Sequence, residues 1–271
     1  MQYKEIKSDF TFFKYRRLCD SVKALGRPTL TFDQFCQRPK DTSPVVVLRH
    51  DVDRCFAKAL DMARFEARRG LRATYFVRMI PALFQPHKIR ELYRLGHEVG
   101  YHYEVLTKAR GDRALALALF EKELASLRQV VPVYSASMHG SPLSPWNNLA
   151  IWQESEIGRF GLMLEASLTV DYTGVYYFTD TGRSWNADRF NIRDRVNSPQ
   201  PLRPVHTTDE LIDFLEAEPS LSMVINTHPN RWARTRLDHC AGYALDQAAN
   251  LAKWIMSEIC RLIQRRSITR R

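Results

Sequence analysis

The chain is poor in sulfur pairs. Five cysteines (Cys19, Cys36, Cys55, Cys240 and Cys260) are spread through 271 residues, odd in number, far apart and with no Cys-x-x-Cys. That pattern suggests neither a disulfide framework nor a thiolate zinc site, and reduced thiols fit best. No apolar run is long enough to span a bilayer. The opening stretch, Met1 to Asp9, carries acids and has no uninterrupted apolar core, unlike a standard secretory signal, so a cytoplasmic protein is expected. No glycine-rich phosphate loop follows a strand-like run, which weakens nucleotide-fold readings, and no low-complexity tract or long internal repeat appears.

What is present suits a packed globule. Apolar residues make up 45% and aromatic residues 11% of the chain, enough for a full core. A single α/β domain over residues 1–271 is expected, with an N-terminal cap at 1–44, the motif-bearing part at 45–229, and a C-terminal helix and basic tail at 230–271. The net charge of +10 invites a polyanion partner. Its cations are blocked together only at the end, in Arg265-Arg266 and Arg270-Arg271, so no specific nucleic-acid partner is expected. Peripheral contact with an anionic membrane stays open.

Short β-branched or aromatic runs alternate with longer amphipathic stretches, the pattern of repeated βα units. Strands are expected at Val45–Leu48, Ala73–Val77, Glu98–Tyr103, Val133–Met138, Leu164–Val170 with Val175–Phe178, and Met223–Asn226. Helices are expected at Phe56–Arg69, Ile89–Leu95 and Asp112–Val130, stopped by Gly70, Gly96 and Pro132. Thr207-Thr208-Asp209-Glu210 is a capping box opening another helix. A last helix, near Gly242 to Ile263, has an apolar stripe suited to packing on the outside of a barrel.

The chemistry gathers at strand ends. Val45–Leu48 runs into Arg49-His50-Asp51-Val52-Asp53, and side chains two apart on a strand point the same way, so both carboxylates share a face. The plainer alternative makes Asp53 a helix cap and Asp51 a turn residue. Three of the eight histidines, His102, His139 and His228, also fall at or just after the ends of expected strands. In α/β barrels that edge is where side chains from different strands converge. A carboxylate with two imidazoles is a normal ligand set for zinc or a similar divalent cation with an open position.

Four ordered segments, Arg49–Asp53, Ala73–Val77, Gly96–His102 and Asn226–Pro229, resemble the motifs of the polysaccharide deacetylase superfamily, carbohydrate esterase family 4 and its relatives. The resemblance covers about Val45 to Pro229. It implies a distorted (β/α)7-type barrel and a metal-dependent N-deacetylase acting on an N-acetylated sugar. It makes Asp51 the base, Asp53 a metal ligand, His102 the first histidine of the second motif, and His228 the group that protonates the leaving amine. The family's second motif has another metal histidine four residues after the first, where this chain has Leu106. Either the site is inactive, leaving a barrel that binds saccharide or a partner enzyme, or another histidine completes it, His139 or His50.

Tyr176 to Trp185 brings a carboxylate, a guanidinium and an indole together after a strand, a set that binds sugars when it faces one. The alternative is a polar loop with Trp185 in the core. Arg49, His50, Asp180, Arg183 and Trp185 are the residues expected on the substrate. A deacetylase of this kind suits surface-polysaccharide assembly on a nucleotide-linked or lipid-linked precursor.

Overall fold

The computed structural model describes residues 8–39, 43–141, 144–152, 157–185, 193, 196–248 and 250. The chain opens with α1 (Phe12–Ala24), β1 (Thr29–Leu30) and α2 (Phe32–Gln37). It then alternates: β2 (Val46–Val52), α3 (Phe56–Arg68), β3 (Thr74–Arg78), α4 (Pro86–Arg94), β4 (Glu98–Tyr103), α5 (Val105–Lys108), α6 (Arg113–Arg128) and β5 (Ser135–Met138). After it come β6 (Leu164–Glu165), β7 (Val175–Thr179), α7 (Thr208–Ala217) and β8 (Ser222–Thr227).

Seven strands form one curled parallel sheet, a half-barrel, in the order β6-β5-β4-β3-β2-β8-β7, with β1 beside the start of β2. Every ladder among the described residues is parallel. All the strand ends that carry chemistry therefore open on one edge. β2 sits between β3 and β8 and is buried along its whole length, as its β-branched start requires.

Two cores follow from the period of two. Behind the sheet, its alternate side chains, among them Leu48, Tyr75, Tyr101 and Ile225, pack on the helices. Inside the curl, Val47, Phe76, Val224, Leu164 and Tyr172 form a smaller apolar floor. Gly100 lies over this floor, and a Cβ there would meet the Phe76 ring at 2.4 Å. α3 ends where Gly70 takes φ +75°, letting Leu71 N–H reach back to the Glu66 carbonyl at 3.0 Å. The Thr207 capping box opens α7 as expected.

Two expectations change. Only Leu164–Glu165 of the run to Val170 is a strand. The Glu165 carbonyl takes the amide of Thr169 and its carboxylate that of Ser167, turning the chain out of the sheet. Helix α4 starts earlier than expected, with Pro86 in its first turn. Residues 236–248 are helical, while the remainder of the expected last helix from 251 onward, the basic tail and Cys260 lie outside the described residues. No helix among the described residues is long and apolar enough to cross a membrane.

Candidate functional site

On β2 the alternation turns Arg49 and Asp51 into the curl, and Asp53 follows after a tight turn in which its N–H meets the Asp51 carbonyl at 3.0 Å. Asp53 is not the cap of α3. That position is Cys55, whose side chain makes no capping bond. Instead, Asp53 Oδ1 lies 3.3 Å from His102 Nε2 and 3.5 Å from His139 Nε2. One ligand atom from each of the three falls within 4.8 Å of the others.

The tautomer of His102 is set by its other nitrogen. Nδ1 lies 3.0 Å from the Ser137 carbonyl, which can only accept, so a proton sits on Nδ1 and Nε2 is the nitrogen turned to Asp53. Asp53 Oδ1 is buried and has no hydrogen-bond partner. A buried carboxylate oxygen without a hydrogen-bond partner, set beside two imidazole nitrogens, is an arrangement that a cation would satisfy. Burial pushes the Asp53 carboxyl up, but His139, His102 and His228 overcome it and hold the group well below the usual range. One carboxylate oxygen and two imidazole nitrogens are a donor set that fits a zinc-like divalent ion.

Asp51 is gripped from below. Arg49 donates through Nε to Oδ1 and through Nη2 to Oδ2, both at 2.9 Å, and Asn226 Nδ2 adds a third bond to Oδ2 at 3.2 Å. Arg49 is itself fixed by Ser137 Oγ at 2.6 Å, Tyr177 OH at 3.3 Å and the Phe76 face at 5.2 Å. Burial raises the Asp51 carboxyl, yet Arg49, His102 and His228 outweigh it and lower it to about 2.

Across the opening, His228 points Nε2 at both carboxylates, 3.9 Å from Asp51 Oδ2 and from Asp53 Oδ2. Its Nδ1 lies 2.6 Å from Asp180 Oδ1, which Arg231 Nη1 also meets at 2.6 Å. Asp180 Oδ2 accepts the His228 amide and the Trp232 indole N–H, each at 2.9 Å. Burial and Arg231 lower the His228 imidazole, but Asp180 and Asp53 win and leave it above its ordinary value.

The residues expected on the substrate have partners within the protein. Arg49 is 1% exposed and committed to Asp51. His50 faces the other side of the sheet, its Nδ1 2.6 Å from Thr227 Oγ1 and its Nε2 3.0 Å from the buried Glu66, because neighbours on a strand point oppositely. It therefore does not complete the cluster. Both oxygens of Asp180 are taken by His228, Arg231 and Trp232. Arg183 Nε binds Asp246 at 2.6 Å. Trp185 is 4% exposed, against Phe10 and Trp232, with its N–H on Thr208. Within the loop, Trp185 thus packs in the core while Asp180 turns to His228.

Two residues that the sequence did not single out border the cluster. Glu104 Oε2 lies 3.3 Å from His139 Nδ1, and Arg78 donates to Glu104 Oε2 at 2.7 Å and to the Asp53 carbonyl at 2.9 Å. The available signal was spacing: Glu104 follows His102 by two, and Arg78 pairs with His102 across the ladder.

Neither a family model nor a curated protein sequence matches this chain. Among solved structures it is similar to the peptidoglycan deacetylase PdaC from Bacillus subtilis, at 12% identity and a TM-score of 0.40, over 86% of this chain and 98% of that one. It is similar to a family 4 carbohydrate esterase from Streptomyces lividans in complex with acetate, at 18% identity and 0.39, over 78% and 88%. A polysaccharide-deacetylase-like protein from Mycobacterium smegmatis matches at 14% identity and 0.43, over 85% and 94%.

Proposed function

We propose that the chain is a metal-dependent hydrolase that removes the acetyl group from an N-acetylated sugar, with a nucleotide-linked or lipid-linked precursor of a surface polysaccharide as its substrate. The reading rests on one observation: Asp53 Oδ1, buried without a donor, faces two imidazole nitrogens from neighbouring strands. Asp53, His102 and His139 would hold the ion, zinc by the donor set. When bound, such an ion acts as a Lewis acid, polarising a carbonyl and making water more acidic.

The chain's own groups handle the protons. Asp51 accepts three hydrogen bonds, which fix both oxygens and leave one lone pair of its carboxylate for a proton from the attacking water. His228, whose Nδ1 meets Asp180 Oδ1 at 2.6 Å and Arg231 Nη1 at 2.7 Å, presents Nε2 to carry the proton for the departing amine. Water and amide are consumed, and acetate and a free amino sugar are produced. Arg231 and Trp232 keep both Asp180 oxygens in place, so the imidazole keeps its direction. An imidazole that reaches the cluster from just past β5 supports the catalytic reading over the one based on Leu106, which packs in the core behind the sheet.

The test is acetate release from a panel of nucleotide-linked and lipid-linked N-acetylated sugars, with chelated and zinc-reloaded protein. Acetate and free amine formed in equal amounts, only by the reloaded protein, would support the reading. No acetate from any member of the panel would overturn it.

A further inference from the structure

The two imidazoles of the cluster are held in different ways. His102 leans on a backbone carbonyl, which no substitution removes. His139 lies past the end of β5, and its Nδ1 faces two side chains, Ser141 Oγ at 2.9 Å and Glu104 Oε2 at 3.3 Å. These partners are not equivalent. A hydroxyl can donate or accept, so Ser141 is compatible with either tautomer, whereas an ionised carboxylate only accepts and requires the proton on Nδ1. With that proton on Nδ1, Nε2 presents its lone pair toward Asp53.

Glu104 is well placed for this task. It is 7% exposed and stands two residues after His102, so the end of β4 supplies both one ligand and the group facing the other. Arg78 Nη2 donates to Glu104 Oε2 while Arg78 Nη1 donates to the Asp53 carbonyl, and Lys108 Nζ lies 3.9 Å from Glu104 Oε1. The rings of His102 and His139 meet edge to face with centroids 5.3 Å apart, which restricts how far His139 can turn. Glu104 is not among the three residues whose ligand atoms cluster.

We infer that Glu104, braced by Arg78, is the positioning residue that sets the tautomer and direction of His139 for metal binding. The inference rests on the metal centre proposed above. In place of a second histidine on the same loop as His102, the chain uses a histidine from the next strand and a carboxylate to aim it.

Zinc affinity of the full chain, measured by competition with a chromophoric chelator, tests this without any substrate. Glu104→Ala is expected to weaken zinc binding roughly 10–100-fold, Glu104→Gln less because its amide oxygen still accepts, and Ser141→Ala less than Glu104→Ala. In a His139→Ala background, Glu104→Ala should add nothing, since its route is through His139. Nitrogen NMR of the metal-free protein should show His139 leaving the Nδ1–H tautomer in Glu104→Ala, and Glu104→Gln serves for both readouts if the alanine variant does not fold. Wild-type protein that binds no zinc would overturn the metal centre and this inference with it. Zinc binding unchanged in Glu104→Ala, or an equal further loss in the His139→Ala background, would overturn the role of Glu104 alone.

Discussion

Asp180 and His228 face each other across the end of the β7–β8 ladder, with Oδ1 and Nδ1 2.6 Å apart, and every other contact of Asp180 serves that pairing. A carboxylate in this position keeps the imidazole proton-rich. Asp180→Asn should lower kcat by roughly 10²–10⁴-fold while changing KM little, because both Asp180 oxygens are taken by His228, Arg231 and Trp232. The Asp180 charge raises the His228 imidazole, so its loss lowers it. A group that must be protonated to act then fails at lower pH, and the alkaline limb of the kcat/KM profile should move downward. An unmoved limb would separate Asp180 from the proton donor.

The fork between Arg49 and Asp51 gives a stability prediction. Both side chains are buried, and removing one partner strands the charge of the other. Arg49→Met should cost about 3–5 kcal/mol in urea unfolding. Since Asp51 is held at about 2, below its ordinary 3.8, its contribution is complete above the unfolded value and fades as pH falls through about 2.

Glu98 works in the opposite sense. Burial, then Asp33, pushes its carboxyl from the ordinary 4.5 to about 7, although Ser135, Thr74 and the Asp33 amide all donate to it. The folded chain then holds this proton more tightly than the unfolded chain. The resulting loss of stability accrues as pH rises from about 4.5 to about 7 and is flat above. Glu98→Gln should remove that part of the slope, so the difference in urea midpoint between variant and wild type should grow over this range. A difference independent of pH would contradict the assignment.

Much of this architecture can be read from residue order. Val46 to Leu48, the run from Thr74 to Val77 and the run from Met223 to Ile225 are short, apolar and bounded by turn-formers, so parallel buried strands follow from the pattern. The period of two places Asp51 on one face with Arg49, and the same rule puts His50 on the opposite face, where adjacency in sequence misleads. Arg49 looked like a substrate residue because its partners Ser137 and Tyr177 are far away in the chain and meet it only when the sheet curls. Trp185 and Asp180 were read as one loop with one purpose, but the loop divides: the indole enters the core and the carboxylate turns to His228. Glu104 had no signature of its own, since a single acid after a strand looks like any solvated turn residue until His139 arrives from the next strand.

In the proposed function Asp53, His102 and His139 hold one divalent ion while Asp51 does not. Zinc content of purified wild-type, Asp53→Ala, His139→Ala and Asp51→Ala proteins, by elemental analysis after zinc loading and buffer exchange, tests it most directly. The account predicts about one zinc per chain in wild type and Asp51→Ala, and severe loss in Asp53→Ala and His139→Ala. Zinc retained in full by Asp53→Ala, or none in the wild type, would contradict it.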